Sequence, residues 1–126
     1  MPLAHDRPVT FLGTANHKTA KAFYTGTLGL TLVSEDDFAA VFDLAGTMLR
    51  LSTIPGFTPN PHTVLGWIVP DIRASIASLS AKGVKFEIYE GFGQDEAGVW
   101  SAPGGGPKIA WFLDPEGNNL SLTQFS

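Results

Sequence analysis

Two stretches of this chain run through the same order of elements, and that repeat limits the possible folds more than any other feature. Val9–Thr14 is a short apolar, β-branched run that reads as a strand. Asn16 follows as a helix N-cap, since its side chain can accept a hydrogen bond from a free N–H of the first turn. Ala20, Phe23, Tyr24 and Leu28 recur at helical spacing over about residues 17–27, and Gly29 is placed to end that helix in a left-handed conformation. Residues 30–33, 38–44 and 48–53 read as three strands, broken at 34–37 and 45–47. Residues 54–61 hold Pro55, Gly56, Pro59 and Pro61 and read as a linker. The order then starts again. A strand over 64–69 precedes an N-cap at Asp71, and the next helix carries Ile72, Ile76 and Leu79 on one stripe before Gly83. A strand over 84–89 follows, and then a hairpin of 108–113 with 119–123 across Asp114-Pro115-Glu116-Gly117-Asn118.

Counting tests the repeat. Asn16 to Asp71 is an offset of 55, which also carries Val9 onto Val64. At the end of each half, Gly46-x-x-Leu49-Arg50-Leu51 matches Gly117-x-x-Leu120-Ser121-Leu122, an offset of 71. The difference, 71 − 55 = 16, is extra chain in the second half and falls in the glycine-rich loop 91–107. The expected fold is therefore α+β: two tandem βαβββ modules in one domain over 1–126, with module 1 at about 8–53, a linker at 54–61 and module 2 at about 62–125.

Composition excludes several functions. Charged residues are 16% against a usual share of about 25%. Two readings fit: surface hidden in a pocket or subunit contact, or a surface rich in Gly, Ala, Ser and Thr. The net charge is −4 and the eight basic residues are scattered, so no nucleic acid is expected as a partner. No cysteine is present, which removes disulfides, thiol nucleophiles and cysteine-bound zinc. Residues 1–8 have no apolar core of a signal peptide, and no apolar run reaches the ~18 residues of a membrane span. No membrane partner and a cytoplasmic location are the expectations. There is no G-x-S-x-G elbow, and no two histidines stand at ligand spacing.

Two segments bear a resemblance. Phe23-Tyr24-Thr25-Gly26-Thr27-Leu28-Gly29-Leu30 resembles a helix-end pattern F-Y-x-x-x-L-G-L, and Phe112-Leu113-Asp114-Pro115-Glu116-Gly117-Asn118-Asn119-Leu120-Ser121-Leu122 resembles F-x-D-P-x-G-N-x-L-x-L. Both are similar to patterns of the glyoxalase/bleomycin-resistance/extradiol-dioxygenase (vicinal oxygen chelate) superfamily, and the likeness covers about residues 8–125. It implies that the modules form a cupped, mostly antiparallel half-barrel sheet with helices on the outer face, and it implies a homodimer. It also implies four metal-ligand positions, which fall here on Val9, Arg50, Val64 and Ser121. Two of these have no donor atom, one is a fixed cation and one is a weak hydroxyl ligand. No metal and no other cofactor are therefore expected. His5 and His62 remain as members of a displaced metal site, and His17 sits at a helix start where solvent exposure is usual.

Strand alternation sorts the faces. Val9, Phe11, Gly13, Met48, Arg50, Ser52, Val64, Gly66, Ile68, Ile109, Trp111, Leu113, Asn119, Ser121 and Thr123 should face the cup. Leu12, Leu49, Leu51, Trp67, Phe112, Leu120 and Leu122 should back onto the helices. The candidate ligand-binding residues are Phe11, Met48, Arg50, Trp100, Trp111 and Ser121, and catalytic residues are not assigned. An inward Arg50 needs a partner, either Asp43, Glu87 or Glu90, or an anionic ligand. Loop 91–107, with Phe92 and Trp100, can close as a lid, lie disordered or contact a second subunit. Three functions stay open: a metal-independent binding protein for an apolar or aromatic small molecule, an enzyme (lyase, isomerase or dioxygenase) with a displaced metal or none, and a partner-binding domain with a filled cup.

Overall fold

The computed structural model describes residues 2–125. In chain order the elements are β1 (Val9–Thr14), α1 (His17–Ala22), a π-helical turn (Phe23–Thr27), β2 (Thr31–Glu35), β3 (Ala39–Leu44), β4 (Thr47–Thr53), β5 (Thr63–Ile68), α2 (Ile72–Ser80), β6 (Trp100–Ser101), β7 (Lys108–Leu113) and β8 (Asn119–Gln124). They form two units that divide between Pro59 and Asn60, inside the proline-rich segment. Each unit is built on its own four-stranded mixed sheet, ordered β1-β4-β3-β2 in the first and β5-β8-β7-β6 in the second. The class is α+β.

Strand registers carry the repeat through to three dimensions. Phe11 faces Arg50 in the parallel pair of the first sheet, and Gly66 faces Ser121 in the parallel pair of the second. These are the offsets 55 and 71 again. One difference is local. Thr63 pairs with Asn119 and Leu65 with Leu120, so Val64 is the extra residue of a bulge that β1 does not have.

Both helices start as the capping residues dictate. Asn16 accepts from the Thr19 N–H at 3.1 Å and Asp71 from the Ala74 N–H at 3.1 Å. The Gln124 side chain at the end of β8 also accepts from the Ile72 N–H at 2.9 Å, which ties α2 to its sheet. The first helix does not stay α-helical to residue 27. Thr25 donates its hydroxyl to the Lys21 carbonyl at 2.8 Å, and the turn widens so that Leu28 N–H reaches Phe23 O at 3.0 Å. Gly29, at φ 73°, then lets Leu30 N–H close onto Tyr24 O. His17 is not the solvent group expected of it. It is half-buried, with Nδ1 3.2 Å from Thr53 Oγ1 and Nε2 2.9 Å from Glu35, which Lys21 also contacts.

The core follows alternation. Leu12, Leu49, Leu51 and Phe42 bury against Ala20 and Tyr24 in the first unit. Phe112, Leu120, Leu122 and Ala110 bury with Ile72 and Ile76 in the second. Trp67 is only half-buried, stacked 6.5 Å from Phe112. On the opposite face of the first sheet, Val9, Phe11 and Met48 are exposed, Phe11 at 62%.

The strand expected over 84–89 does not form as one. Phe86 bridges Phe112, and Glu87 N–H donates to Trp111 O at 2.8 Å. The next ladder bond is then lost, because Tyr89 N–H is taken by the Gln94 side chain at 2.7 Å. The chain leaves the sheet, and β6, from within loop 91–107, takes the rest of the β7 edge opposite Ile109 and Lys108. The edge strand is split by the extra residues of the second module.

Candidate functional site

The second unit holds a pocket of about 260 Å³ where β5 begins, where β8 begins, and where the split edge strand departs. Each wall has a local cause. Phe92 N–H bonds Tyr89 O at 3.2 Å with Gly91 at φ 82°, a turn that needs a left-handed third residue. That turn brings the Tyr89 and Phe92 rings to 5.4 Å. Trp111, on the pocket side of β7, sits 5.7 Å from Tyr89 and 6.1 Å from Phe92 at interplanar angles of 68° and 83°. Pro61, His62, Thr63 and Asn119 complete the lining. No Asp, Glu, Lys or Arg lines it. An apolar, aromatic hollow with a few polar groups is the usual make-up of a small-molecule site.

Loop 91–107 is folded back by its own side chains in its first half. Gln94 Nε2 donates to Glu87 O at 2.9 Å and Gly98 O at 2.7 Å, bridging the two ends of the excursion. Asp95 accepts from Ala97 N–H and Val99 N–H and meets Arg73 of α2 at 2.7 Å. Burial pushes the Asp95 pKa up. The hydrogen bond from Arg73, those from Val99 and Ala97, and the Arg73 charge outweigh burial and hold it below its ordinary 3.8. A depressed carboxylate contributes stability that is present above the unfolded value and lost as pH falls through the folded one. Amide-exchange protection at Ala97 and Val99 should therefore fall first on acidification below the ordinary carboxylate range, ahead of β8 amides such as Leu122. Simultaneous loss at both places would show that Asp95 does not control this loop.

The residues expected from sequence are distributed over both units. Trp111 lines the pocket. Ser121 faces Trp111 across the β7–β8 ladder but is buried beneath the surface, against Gly66, where an added Cβ would lie 2.6 Å from its Oγ. Trp100 is half-buried on β6 opposite Ile109. Phe11, Met48 and Arg50 belong to the first sheet, with Phe11 and Arg50 directly paired. Arg50 is half-buried, and Asp43 does not pair with it. Asp43 instead accepts from the Gly46 N–H at 2.9 Å. The Asp36 carboxyl is held low mainly by the Phe38 and Ala39 N–H groups, with a smaller contribution from the Arg50 charge.

Sequence reasoning did not single out Tyr89, and it noted Phe92 only as part of a loop able to act as a lid, not among the ligand-binding residues. Their signal was an aromatic pair three apart around Glu90-Gly91, a turn pattern, next to the inserted loop.

The four positions at which a chelating relative would hold a metal do not fit one. Val9 and Val64 offer no lone pair, Arg50 is a cation, and the Ser121 hydroxyl is buried against Gly66. Among the described residues no three His, Asp or Glu side chains converge on a point that could hold a metal ion. His62 is on the pocket rim without a carboxylate beside it in the lining, and His5 is exposed in the turn before β1.

Residues 8–122 match the Glyoxalase/Bleomycin resistance protein/Dioxygenase superfamily. The chain belongs to that superfamily. Solved structures of glyoxalase-type proteins share its fold. A lactoylglutathione lyase from Agrobacterium tumefaciens is 18% identical with a TM-score of 0.72, over 95% of this chain and 93% of that one. A glyoxalase family protein from Bacillus anthracis is 14% identical with a TM-score of 0.75, over 97% and 96%. TnmS3, an antibiotic binding protein from Streptomyces sp. CB03234, is 25% identical with a TM-score of 0.74, over 100% and 99%. No curated protein matches. The description of this superfamily covers a resistance protein and enzymes alike, so the fold leaves the function to the site. No helix among the described residues is long and apolar enough to cross a membrane.

Proposed function

We propose that this superfamily member is a metal-independent binding protein that holds an apolar or aromatic small molecule in the pocket of its second unit. The observation that carries the reading is the convergence of Tyr89, Phe92 and Trp111 on one hollow whose lining has no charged carboxylate, lysine or arginine. A site of this kind gains from burying ring surface and offers little to a hydrated ion. The likeness to an antibiotic binding protein supports the same reading. The proposal includes a cytoplasmic homodimer, with the exposed apolar face of the first sheet around Val9, Phe11 and Met48 as its motive.

The test combines metal content with ligand-induced stability. Purified tag-free protein should hold no stoichiometric metal. Its melting temperature should rise with naphthalene and be indifferent to EDTA and to added Ni²⁺, Zn²⁺, Mn²⁺ or Fe²⁺. Metal near one equivalent, or a melting temperature that climbs with metal concentration, would replace this reading with a chelate enzyme. Sedimentation of the same sample checks the dimer.

A further inference from the structure

The polar end of the aromatic pocket has a direction, set by one backbone carbonyl. Pro61 C=O can only accept hydrogen bonds. It lies 3.2 Å from the Asn119 carboxamide nitrogen, so the amide must present Nδ2 to it and turn Oδ1 away. On the other side, the Thr63 hydroxyl donates to Oδ1 at 3.1 Å. The same Nδ2 is 3.0 Å from Tyr89 Oη. Its two N–H groups are thus used, one on Pro61 O and one on Tyr89 Oη. Tyr89 Oη is an acceptor towards Asn119, and its own single proton is left over. Among the described residues no acceptor takes that proton. The rings next to Tyr89 are those of Phe92 and Trp111, which have no oxygen acceptor to offer.

We infer that Tyr89 is an oriented hydrogen-bond donor of this pocket, and that the molecule bound there carries an acceptor atom, a carbonyl oxygen or a ring nitrogen, facing the Tyr89 hydroxyl. The inference rests on the reading of the pocket as a small-molecule site. Asn119 is buried and locked by Pro61 and Thr63, so it acts as a positioning residue that keeps the phenol from turning its proton inward. A purely apolar guest would strip water from the phenol and leave its donor unpaired. A guest with an acceptor replaces that water, and a site of this kind discriminates against analogues that lack the polar atom. The ligand class is therefore a flat aromatic molecule with an exposed acceptor at one edge.

Quinoline and naphthalene test this, because they share a shape and differ by one acceptor nitrogen. Their dissociation constants are read from the shift of the Trp111 indole N–H, at a pH where quinoline is neutral. The observable is the ratio of the two constants, which is compared between proteins so that the difference in their hydration cancels. Tyr89→Phe should lower the preference for quinoline by about fivefold. Asn119→Asp should lower it as well with Tyr89 still in place, because a carboxylate can only accept and draws the phenolic proton to itself. An unchanged ratio in Tyr89→Phe overturns the donor assignment and leaves the pocket reading standing. Failure of both probes to bind the wild-type protein overturns the pocket reading and the donor with it. If Asn119→Asp does not fold, Tyr89→Phe decides alone.

Discussion

Replacement of Trp111 by alanine is expected to weaken naphthalene binding by at least about thirtyfold, the loss typical of a central aromatic anchor. Trp111 touches both other rings of the pocket, at 5.7 Å to Tyr89 and 6.1 Å to Phe92. Its removal takes away ring area that a guest would cover and frees the other two rings to collapse into the gap. Titration followed by ligand NMR reads the affinity, since the indole probe is lost with the side chain. Circular dichroism melting of the apo variant separates this loss from unfolding, because Trp111 is half-buried and its side chain is not a centre of the core. Wild-type affinity in a folded Trp111→Ala protein would move the binding site elsewhere, with the first-sheet face that carries exposed Phe11 and Met48 beside Arg50 as the alternative.

One residue along the same strand, the expected effect changes from binding to stability. Phe112→Ala should cost about 3–5 kcal/mol, the range for deleting a fully buried phenylalanine. Phe112 is 0% exposed. Its ring stacks 6.5 Å from Trp67, sits 5.3 Å from Phe86, and its backbone pairs with Leu120. It is also where the broken edge segment bridges the sheet. The cavity left behind would loosen both the helix-side core and the segment that leads to Tyr89. Urea unfolding of wild type and variant measures the difference. A loss below about 1 kcal/mol would mean that the site refills by relaxation and that this ring is not a centre of the core. Trp111 and Phe112 thus make a contrast that alternation predicts: adjacent residues, opposite faces, one change read in affinity and the other in stability.

Much of the fold was legible because its causes are local. Asn16 and Asp71 cap helices through bonds to residues three ahead, so the sequence neighbourhood contains the whole interaction. Leu12, Leu49, Leu51, Phe112, Leu120 and Leu122 were sorted to the buried face by period two alone. The offsets 55 and 71 survive as the pairings Phe11 with Arg50 and Gly66 with Ser121, because duplicated strands keep their register when the same apolar face must be covered. The superfamily itself could be read from two short segments, and residues 8–122 match it.

What the sequence could not decide is which of several competing partners takes a given polar group, whether the winner lies near in the chain, as Gln94 does for Tyr89 and Gly46 for Asp43, or far from it. The run 84–89 has the apolar alternation of a strand, but Gln94 captures Tyr89 N–H and the ladder stops there. The turn at Gly91 then brings Phe92 beside Tyr89, next to Trp111. The role of Asn119 depends on a carbonyl 58 residues away in the chain, and the absence of an Arg50–Asp43 pair on an N–H group three residues beyond Asp43. Propensity, capping and face are properties of neighbouring residues, and the chain determined them by itself. The direction of a hydrogen bond and the convergence of three rings depend on distances between segments that only the folded chain brings together.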